Sequence, residues 1–128
     1  MYVHFAPFSR LLPRCAAFVH HGGIGSSAQA LASGVRQLVT PFTHDQPDYT
    51  ARLKRLGVAN VLTPDNYTGD LIAARLRRLL ESPDVGRCCR LVKSRFAGVD
   101  AIGTACDLIE GLRSPATGSQ APTAARTA

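Results

Sequence analysis

The sequence predicts an α/β fold in which helices cover both faces of a parallel β-sheet. Short apolar runs that resemble buried strands alternate with segments of helical periodicity. The strand-like runs are apolar throughout, which is typical of parallel strands buried on both sides. A glycine-rich segment lies between one such run, residues 16–19, and the helix-like residues that follow.

The expected elements follow one another up to residue 112. A short strand at residues 2–5 and a short helix capped by Ser9 come first. Buried strands are expected at residues 16–19, 37–40 and 58–62. Helices are expected at 26–33, from Pro47 to Gly57, from Asp70 onward, and along stripes at 85–96 and 99–112. The residues of the Asp70 helix expected to face inward are Leu71, Ile72, Leu76, Leu79 and Leu80.

The chain of 128 residues, with 45% hydrophobic residues, is long enough for one modest domain with a core. We assign this domain to residues 1–112. Residues 113–128 consist mainly of Ser, Thr, Ala, Pro, Gly and Gln, and this composition predicts a disordered tail.

The formal net charge of +6 raises the question of a nucleic-acid partner. The basic residues are scattered along helical segments without interleaved aromatic residues, so solvated helix faces are favoured and no nucleic-acid partner is expected. The uncharged stretch at residues 15–35 is interrupted by histidines, glycines and hydroxyl residues, so we expect no transmembrane segment.

The four cysteines show no C-x-x-C spacing, so neither a metal site nor thioredoxin-type chemistry is expected. Three of them, Cys88, Cys89 and Cys106, fall on apolar helical faces, where a cysteine usually behaves as a small buried hydrophobe. Together with the absence of a signal-peptide pattern, this favours a cytoplasmic location.

The most informative motif is the run from His20 to Ser27, HHGGIGSS, which leads from a strand into a helix. Such a turn exposes backbone N–H groups at the positive end of a helix dipole, and its glycines allow a ligand to approach the backbone closely. The motif therefore predicts a site for an anion, and for a diphosphate in particular.

Other interpretations of this region are open. Gly23-x-Gly25-x-x-Ala28, with Asp45 about 20 residues further on, also satisfies the dinucleotide fingerprint of an NAD(P)-binding oxidoreductase domain. A serine hydrolase is less favoured because no G-x-S-x-G motif is present. His20 is expected to support the end of the strand, and Asp45 has an alternative role as a helix cap ahead of Pro47. His44 is equally compatible with contacting a ligand and with lining a loop.

The segments HHGGIGSSAQALASGV and PFTHDQPDYTARL, preceded by residues 5–7, resemble the nucleotide-sugar glycosyltransferases of the UDP-glycosyltransferase type. The resemblance covers roughly residues 2–112. It implies the C-terminal half of the GT-B architecture, in which two Rossmann-like halves face each other across a cleft.

What the resemblance implies is donor binding. The expected diphosphate contacts are His21, Gly23, Gly25, Ser26 and Ser27; the ribose and base contacts are Gln29 and Phe5; and the sugar contacts are Asp45 and Gln46. In plant members a glutamate takes the place of Gln29 and a tryptophan that of Phe5. Arg36 stands where the family commonly has proline.

The resemblance also implies transfer of a hexose from a UDP- or dTDP-sugar to a hydroxyl acceptor, a lipid or natural product, with inversion. No metal or other cofactor is expected to be required. The family's general base belongs to an N-terminal acceptor-binding half, and none of the four histidines matches it. The chain is therefore expected to be a fragment or half of a split enzyme. It is also expected to be inactive alone and to associate with the missing half or with itself.

Overall fold

The structure, a computed structural model, describes residues 2–113. The chain divides into a compact unit up to Ala97 and a second unit from Gly98 onward. Apart from Arg113, which is helical, the expected tail at 113–128 lies outside the described residues.

The first unit is built on a three-stranded sheet of β1 (Ala17–His20), β2 (Arg36–Val39) and β3 (Ala59–Val61). The strands lie in the order β1-β2-β3 and all pairs are parallel. This confirms the predicted α/β class and its three strands, whose bounds each differ from the prediction by one residue.

Helices connect and cover these strands. They are α1 (Phe8–Leu11), α2 (Ile24–Ser33), α3 (Gln46–Arg55), α4 (Gly69–Glu81) and α5 (Pro83–Ser94). Short 3-10 turns lie after α1, at Leu12–Arg14, and after β3, at Pro64–Asn66. The second unit contains α6 (Ala101–Arg113). No helix within residues 2–113 is both long enough and apolar enough to cross a bilayer.

The central strand β2 explains why both faces of the sheet must be covered. Its residues Leu38 and Val39 are fully buried, and successive side chains on a strand point to opposite faces. Val39 belongs to a cluster with Leu53 of α3 and Cys89 of α5, whereas Leu38 belongs to a cluster with Leu79 of α4. Burial of these apolar side chains from water on two sides holds the layers together.

The chain leaves α2 at Gly34, as the sequence predicts. Gly34 has a φ of 74°, and its N–H donates to the carbonyl groups of Ala30 and Leu31 at 3.0 and 3.2 Å. Glycine adopts this left-handed conformation without steric cost, so it ends the helix and turns the chain toward β2.

The strand expected at residues 2–5 is absent; no regular structure forms there. Tyr2 and Phe5 are 84% and 83% exposed, so the apolar run that suggested a strand is not buried against the sheet. The expected cap at Ser9 is also wrong. The helix begins at Phe8 with Pro7 as its N-cap, so Ser9 lies inside the helix, and the carbonyl of Pro7 accepts from the N–H groups of Arg10 and Leu11.

Two further expectations of burial are wrong. Leu71 and Leu80 of α4 are each 41% exposed, because the buried stripe of this helix is narrower than its apolar sequence pattern. Cys89 is buried as expected, whereas Cys88 is only half-buried and Cys106 is exposed on α6. The helix through residues 99–112 is confirmed at Ala101–Arg113, but its apolar residues are exposed.

Replacing Leu38 with alanine tests the role of β2 in the core. Because Leu38 is fully buried, we expect the free energy of unfolding to fall by about 2–5 kcal/mol, from lost burial and the cavity that remains. Leu80→Ala on the exposed side of α4 is the control, with an expected loss below about 1 kcal/mol. Urea denaturation measures both, and equal losses would contradict this assignment of the core.

Candidate functional site

The turn after β1 is shaped by Gly22. This glycine is buried, with a φ of 89°. A Cβ at this position would lie 2.8 Å from Oγ1 of Thr50 and 2.9 Å from Cγ1 of Val39. Both the backbone conformation and the lack of space therefore require glycine, and the close fit fixes the turn against β2 and α3.

The turn delivers the chain to the N-terminus of α2. Gly23 is the N-cap, with an extended backbone and no side-chain capping bond. Ser27 N–H donates to the Gly23 carbonyl at 3.0 Å. The three preceding amides, of residues 24–26, lie in the first helical turn, where no intrahelical acceptor exists. They carry the positive end of the helix dipole, which favours an anion.

His21 lies across this helix start. A Cβ at Gly23 would come within 2.6 Å of Nε2 of His21, so glycine at 23 allows the imidazole to rest on the backbone. The His21 side chain is exposed, and at Gly25 a Cβ would meet nothing within 4 Å. An imidazole and the amides of the first helical turn therefore border an open surface.

The two serines of the turn differ. Ser26 is half-buried, whereas Ser27 is only 2% exposed and faces a groove between α2 and α3 with Leu31 and Leu53. Within the described part of the chain, the Ser27 hydroxyl has no hydrogen-bond partner. Its position gives no support to direct contact between this hydroxyl and a ligand at the mouth of the turn.

The segment containing Asp45 and Gln46 lies beside the turn. The Gln46 carbonyl would be 3.5 Å from a Cβ at Gly22, so the start of α3 and the glycine turn meet at the carboxyl end of the sheet. Gln46 Oε1 accepts from the N–H groups of Phe42 and Thr43 at 2.8 and 3.3 Å, which fixes the loop. Between them, His44 is exposed and adopts a φ of 59°.

Asp45 occupies the N-cap position of α3, but its carboxylate accepts no capping hydrogen bond. The alternative in which Asp45 serves only as a capping carboxylate is therefore not supported. Its exposed carboxylate remains available to a ligand.

The two residues expected to bind the ribose and base lie elsewhere on the unit. Gln29 is exposed on α2 and borders a depression of about 200 Å³ with Ser9, Pro13 and Lys93. Phe5 borders a different depression, formed with Pro7, Arg10 and Leu11. The structure thus does not bring Phe5 and Gln29 into one pocket.

A buried polar network lies behind the turn. His20 Nδ1 accepts from the Gly22 N–H at 3.1 Å, and His20 Nε2 lies 3.1 Å from Oε1 of Gln37. Because a backbone N–H can only donate, Nδ1 carries the lone pair and Nε2 carries the hydrogen that reaches Gln37. The His20 ring also stacks on Phe18, with centroids 4.6 Å apart. His20 supports the strand end, as the sequence predicts.

Sequence reasoning missed Gln37 and Thr50. The available signal for Gln37 was an amide directly before the apolar pair Leu38-Val39 of a strand; it is fully buried, and its Nε2 has no partner among residues 2–113. An unpaired buried donor costs about 1–3 kcal/mol. Thr50 carried no such signal, because its proximity to Gly22 depends on how α3 packs.

Burial lowers the pKa of His20 from its ordinary 6.5; the hydrogen bond to Gln37 acts in the opposite direction, and neighbouring His21 lowers it further. In the same residues 2–113, no three His, Cys, Asp or Glu side chains form a group suited to hold a metal ion.

The His20 environment predicts a pH dependence of stability. A base whose pKa is lowered by folding binds its proton more readily in the unfolded chain. Its contribution is therefore complete above the unfolded pKa of 6.5 and is lost progressively as pH falls below that value. The slope from one such group is at most about 1.4 kcal/mol per pH unit.

Urea denaturation between pH 7.5 and 5.5 measures this dependence. His20→Asn serves as the matched variant, because it removes one titrating ring and leaves His4, His21 and His44 in place. We expect the slope to be smaller in the variant. An identical slope in both proteins would show that His20 does not contribute to it.

The sequence matches a known protein family and curated relatives. The family described as erythromycin biosynthesis protein CIII-like, C-terminal domain, matches residues 1–97. Aclacinomycin-T 2-deoxy-L-fucose transferase of Streptomyces galilaeus is 37% identical over 112 residues, 86% of this chain but only 26% of that protein. The chain thus spans about a quarter of the length of this curated relative.

Solved structures extend the likeness to the fold. The glycosyltransferase VinC, crystallised in complex with dTDP, is 32% identical with a TM-score of 0.75; the match covers 84% of this chain and 28% of VinC. The calicheamicin glycosyltransferase CalG4 is 26% identical with a TM-score of 0.79, over 88% of this chain and 30% of CalG4. The comparisons give no support to the dinucleotide-binding oxidoreductase alternative. This chain belongs to the erythromycin biosynthesis protein CIII-like C-terminal domain family and has the fold of the C-terminal half of a GT-B glycosyltransferase.

Proposed function

We propose that residues 1–112 form the donor-binding part of a glycosyltransferase that moves a hexose from a UDP- or dTDP-sugar to a hydroxyl acceptor. The observation that carries this proposal is the open N-terminus of α2, where the His21 ring rests on Gly23 beside the Asp45–Gln46 segment. VinC, a structural neighbour, was crystallised with dTDP, which makes dTDP the first ligand to test.

The diphosphate would bind where helix dipole and donors converge. His21, the amides of Gly25 and Ser26, and the close backbone approach at Gly23 would hold its oxygens. The Ser27 hydroxyl is buried behind them. The exposed Asp45 carboxylate and the amide of Gln46 would contact sugar hydroxyls. Gln29 and Phe5 are proposed for the ribose and base, which requires the nucleoside to extend along α2 toward the α1 segment.

In the reaction, an acceptor hydroxyl of a lipid or natural product attacks the anomeric carbon with inversion, and the nucleoside diphosphate leaves. Negative charge then grows on the leaving diphosphate. Donors already positioned around it stabilise that charge without reorganisation, and removing one such donor typically costs about 10²–10³ in rate in comparable sites. We propose that His21 and the α2 amides supply this stabilisation and that no metal or cofactor is required.

None of the four histidines occupies the place of the family's general base, so we propose that acceptor and base belong to an N-terminal half. The chain alone would then transfer little sugar, and would pair with that half or with itself. All four cysteines are free thiols, which supports a cytoplasmic setting. We propose no nucleic-acid partner.

His21→Ala tests the diphosphate site. Loss of a hydrogen bond to a charged group is worth about 1.5–3 kcal/mol, so we expect binding of dTDP or UDP to weaken about 10- to 100-fold. Isothermal titration calorimetry with UDP, dTDP and NAD, each with EDTA and with Mg²⁺, makes the measurement. Arg78→Ala, which removes an exposed cation on α4, is the matched control and should leave affinity within about twofold.

Three results would count against the proposal. Tight NAD binding would instead favour the oxidoreductase alternative. If the chain binds neither UDP nor dTDP, the proposed donor site is wrong. Binding that requires Mg²⁺ would contradict the metal-free assignment.

Asp45→Asn separates recognition of the sugar from recognition of the nucleotide. Because Asp45 is assigned to sugar hydroxyls, we expect weaker binding of dTDP-glucose or UDP-glucose, by about tenfold for one charge-assisted hydrogen bond. Affinity for dTDP or UDP without the sugar should be unchanged. Equal losses for the sugar nucleotide and the free nucleotide would place Asp45 at the diphosphate instead.

A further inference from the structure

The buried His20 ring does more than end a strand. Its Nδ1 closes a short loop by accepting the Gly22 N–H at 3.1 Å, and the residue enclosed by that loop is His21. Gly22 has a positive φ of 89°. The bond therefore stabilises the turn in which the His21 side chain is exposed and the following residues enter α2.

A second contact fixes which nitrogen of His20 can accept the hydrogen bond from the Gly22 N–H. Gln37, a fully buried residue of the central strand β2, presents Oε1 at 3.1 Å from His20 Nε2. An amide oxygen accepts, so it selects the tautomer with hydrogen on Nε2 and leaves Nδ1 free for Gly22. The His20 ring also stacks on Phe18, with an interplanar angle of 12°.

We infer that His20, held by Gln37 in its neutral Nε2–H tautomer, is a positioning residue that sets the glycine turn and thereby places His21 and the α2 amides for the donor diphosphate. The inference concerns a residue that does not itself meet the ligand, since His20 is 9% exposed. It rests on the proposed donor site for its functional consequence, but its structural content is independent of any ligand.

The neutral form is essential to this role. An imidazolium carries hydrogen on both nitrogens, so Nδ1 would face the Gly22 N–H donor to donor. Burial lowers the pKa of His20 and is the largest influence on it; the hydrogen bond to Gln37 raises that pKa, and His21 lowers it, with a net lowering. The described contacts of His20 with Phe18, Gln37 and Gly22 bring no carboxylate to the ring.

Two measurements on the wild-type chain test the arrangement without any ligand. Nitrogen-15 NMR of the imidazoles near pH 7.5 should show His20 with hydrogen on Nε2 and none on Nδ1, the signal being assigned by its loss in His20→Asn. Hydrogen exchange should show a protected Gly22 amide. An Nδ1–H tautomer or a freely exchanging Gly22 amide would overturn the inference.

Variants then link the arrangement to binding. His20→Phe keeps an aromatic ring against Phe18 but removes both hydrogen bonds; we expect Gly22 exchange to accelerate at least about tenfold and dTDP affinity to fall by about tenfold. His20→Asn offers Oδ1 in place of Nδ1, so it should recover part of both. Protection of the Leu38 amide in β2 reports whether each variant remains folded.

The outcomes separate this inference from the proposed function. If wild type binds neither dTDP nor UDP, the donor site fails, while Gly22 exchange in the two variants still decides the role of His20. If wild type binds and folded His20→Phe binds equally well, the positioning role is wrong. Equal losses in the phenylalanine and asparagine variants would also overturn it, because the acceptor would then be irrelevant.

Discussion

The close approach of Gly22 to its neighbours is the constraint on which the site depends. A side chain there would collide with Thr50 on α3 and Val39 on β2. The turn after β1 therefore packs directly against β2 and α3. This close packing places the end of β1 next to the start of α3. Three features consequently lie together at the carboxyl end of the sheet: the N-terminus of α2, the His21 ring and the Asp45–Gln46 segment. Parallel α/β folds bind ligands at this end.

Glycines in this motif have different purposes. Gly22 is required by conformation and by crowding from the protein itself. Gly23 gives room to an imidazole of the same turn, and Gly25 faces open space. The exposed backbone at Gly25 is accessible from outside, which fits a surface that receives a ligand. A glycine-rich string in a sequence therefore combines internal packing requirements with exposure, and only coordinates separate the two.

Much of the fold could be predicted because the signals were local. The apolar runs around residues 16–19, 37–40 and 58–62 and the stop at Gly34 depend on neighbours in sequence. Residues 2–5 misled because an apolar run forms a strand only if another strand is there to pair with it. The exposed positions Leu71 and Leu80 misled because burial depends on how much of a helix face the sheet can cover.

The site was less predictable for the same reason. The turn and its helix were visible in the sequence, whereas burial of the Ser27 hydroxyl and the partnership of His20 with Gln37 depend on contacts between distant segments. Arg36 illustrates the point: its guanidinium lies against Gly86 of α5, far along the chain. A family pattern with proline at that position gives no indication of such a contact.

The commitment of Gln46 Oε1 to the amides of Phe42 and Thr43 has a chemical consequence for its other end. Only the Nε2 hydrogens remain, so this side chain has only donors left for a ligand, while the carboxylate oxygens of Asp45 are acceptors. A hydroxyl between these two side chains would donate a hydrogen bond to Asp45 and accept one from Gln46. Methylation of that oxygen would remove the bond to Asp45, and removal of the oxygen would remove both bonds.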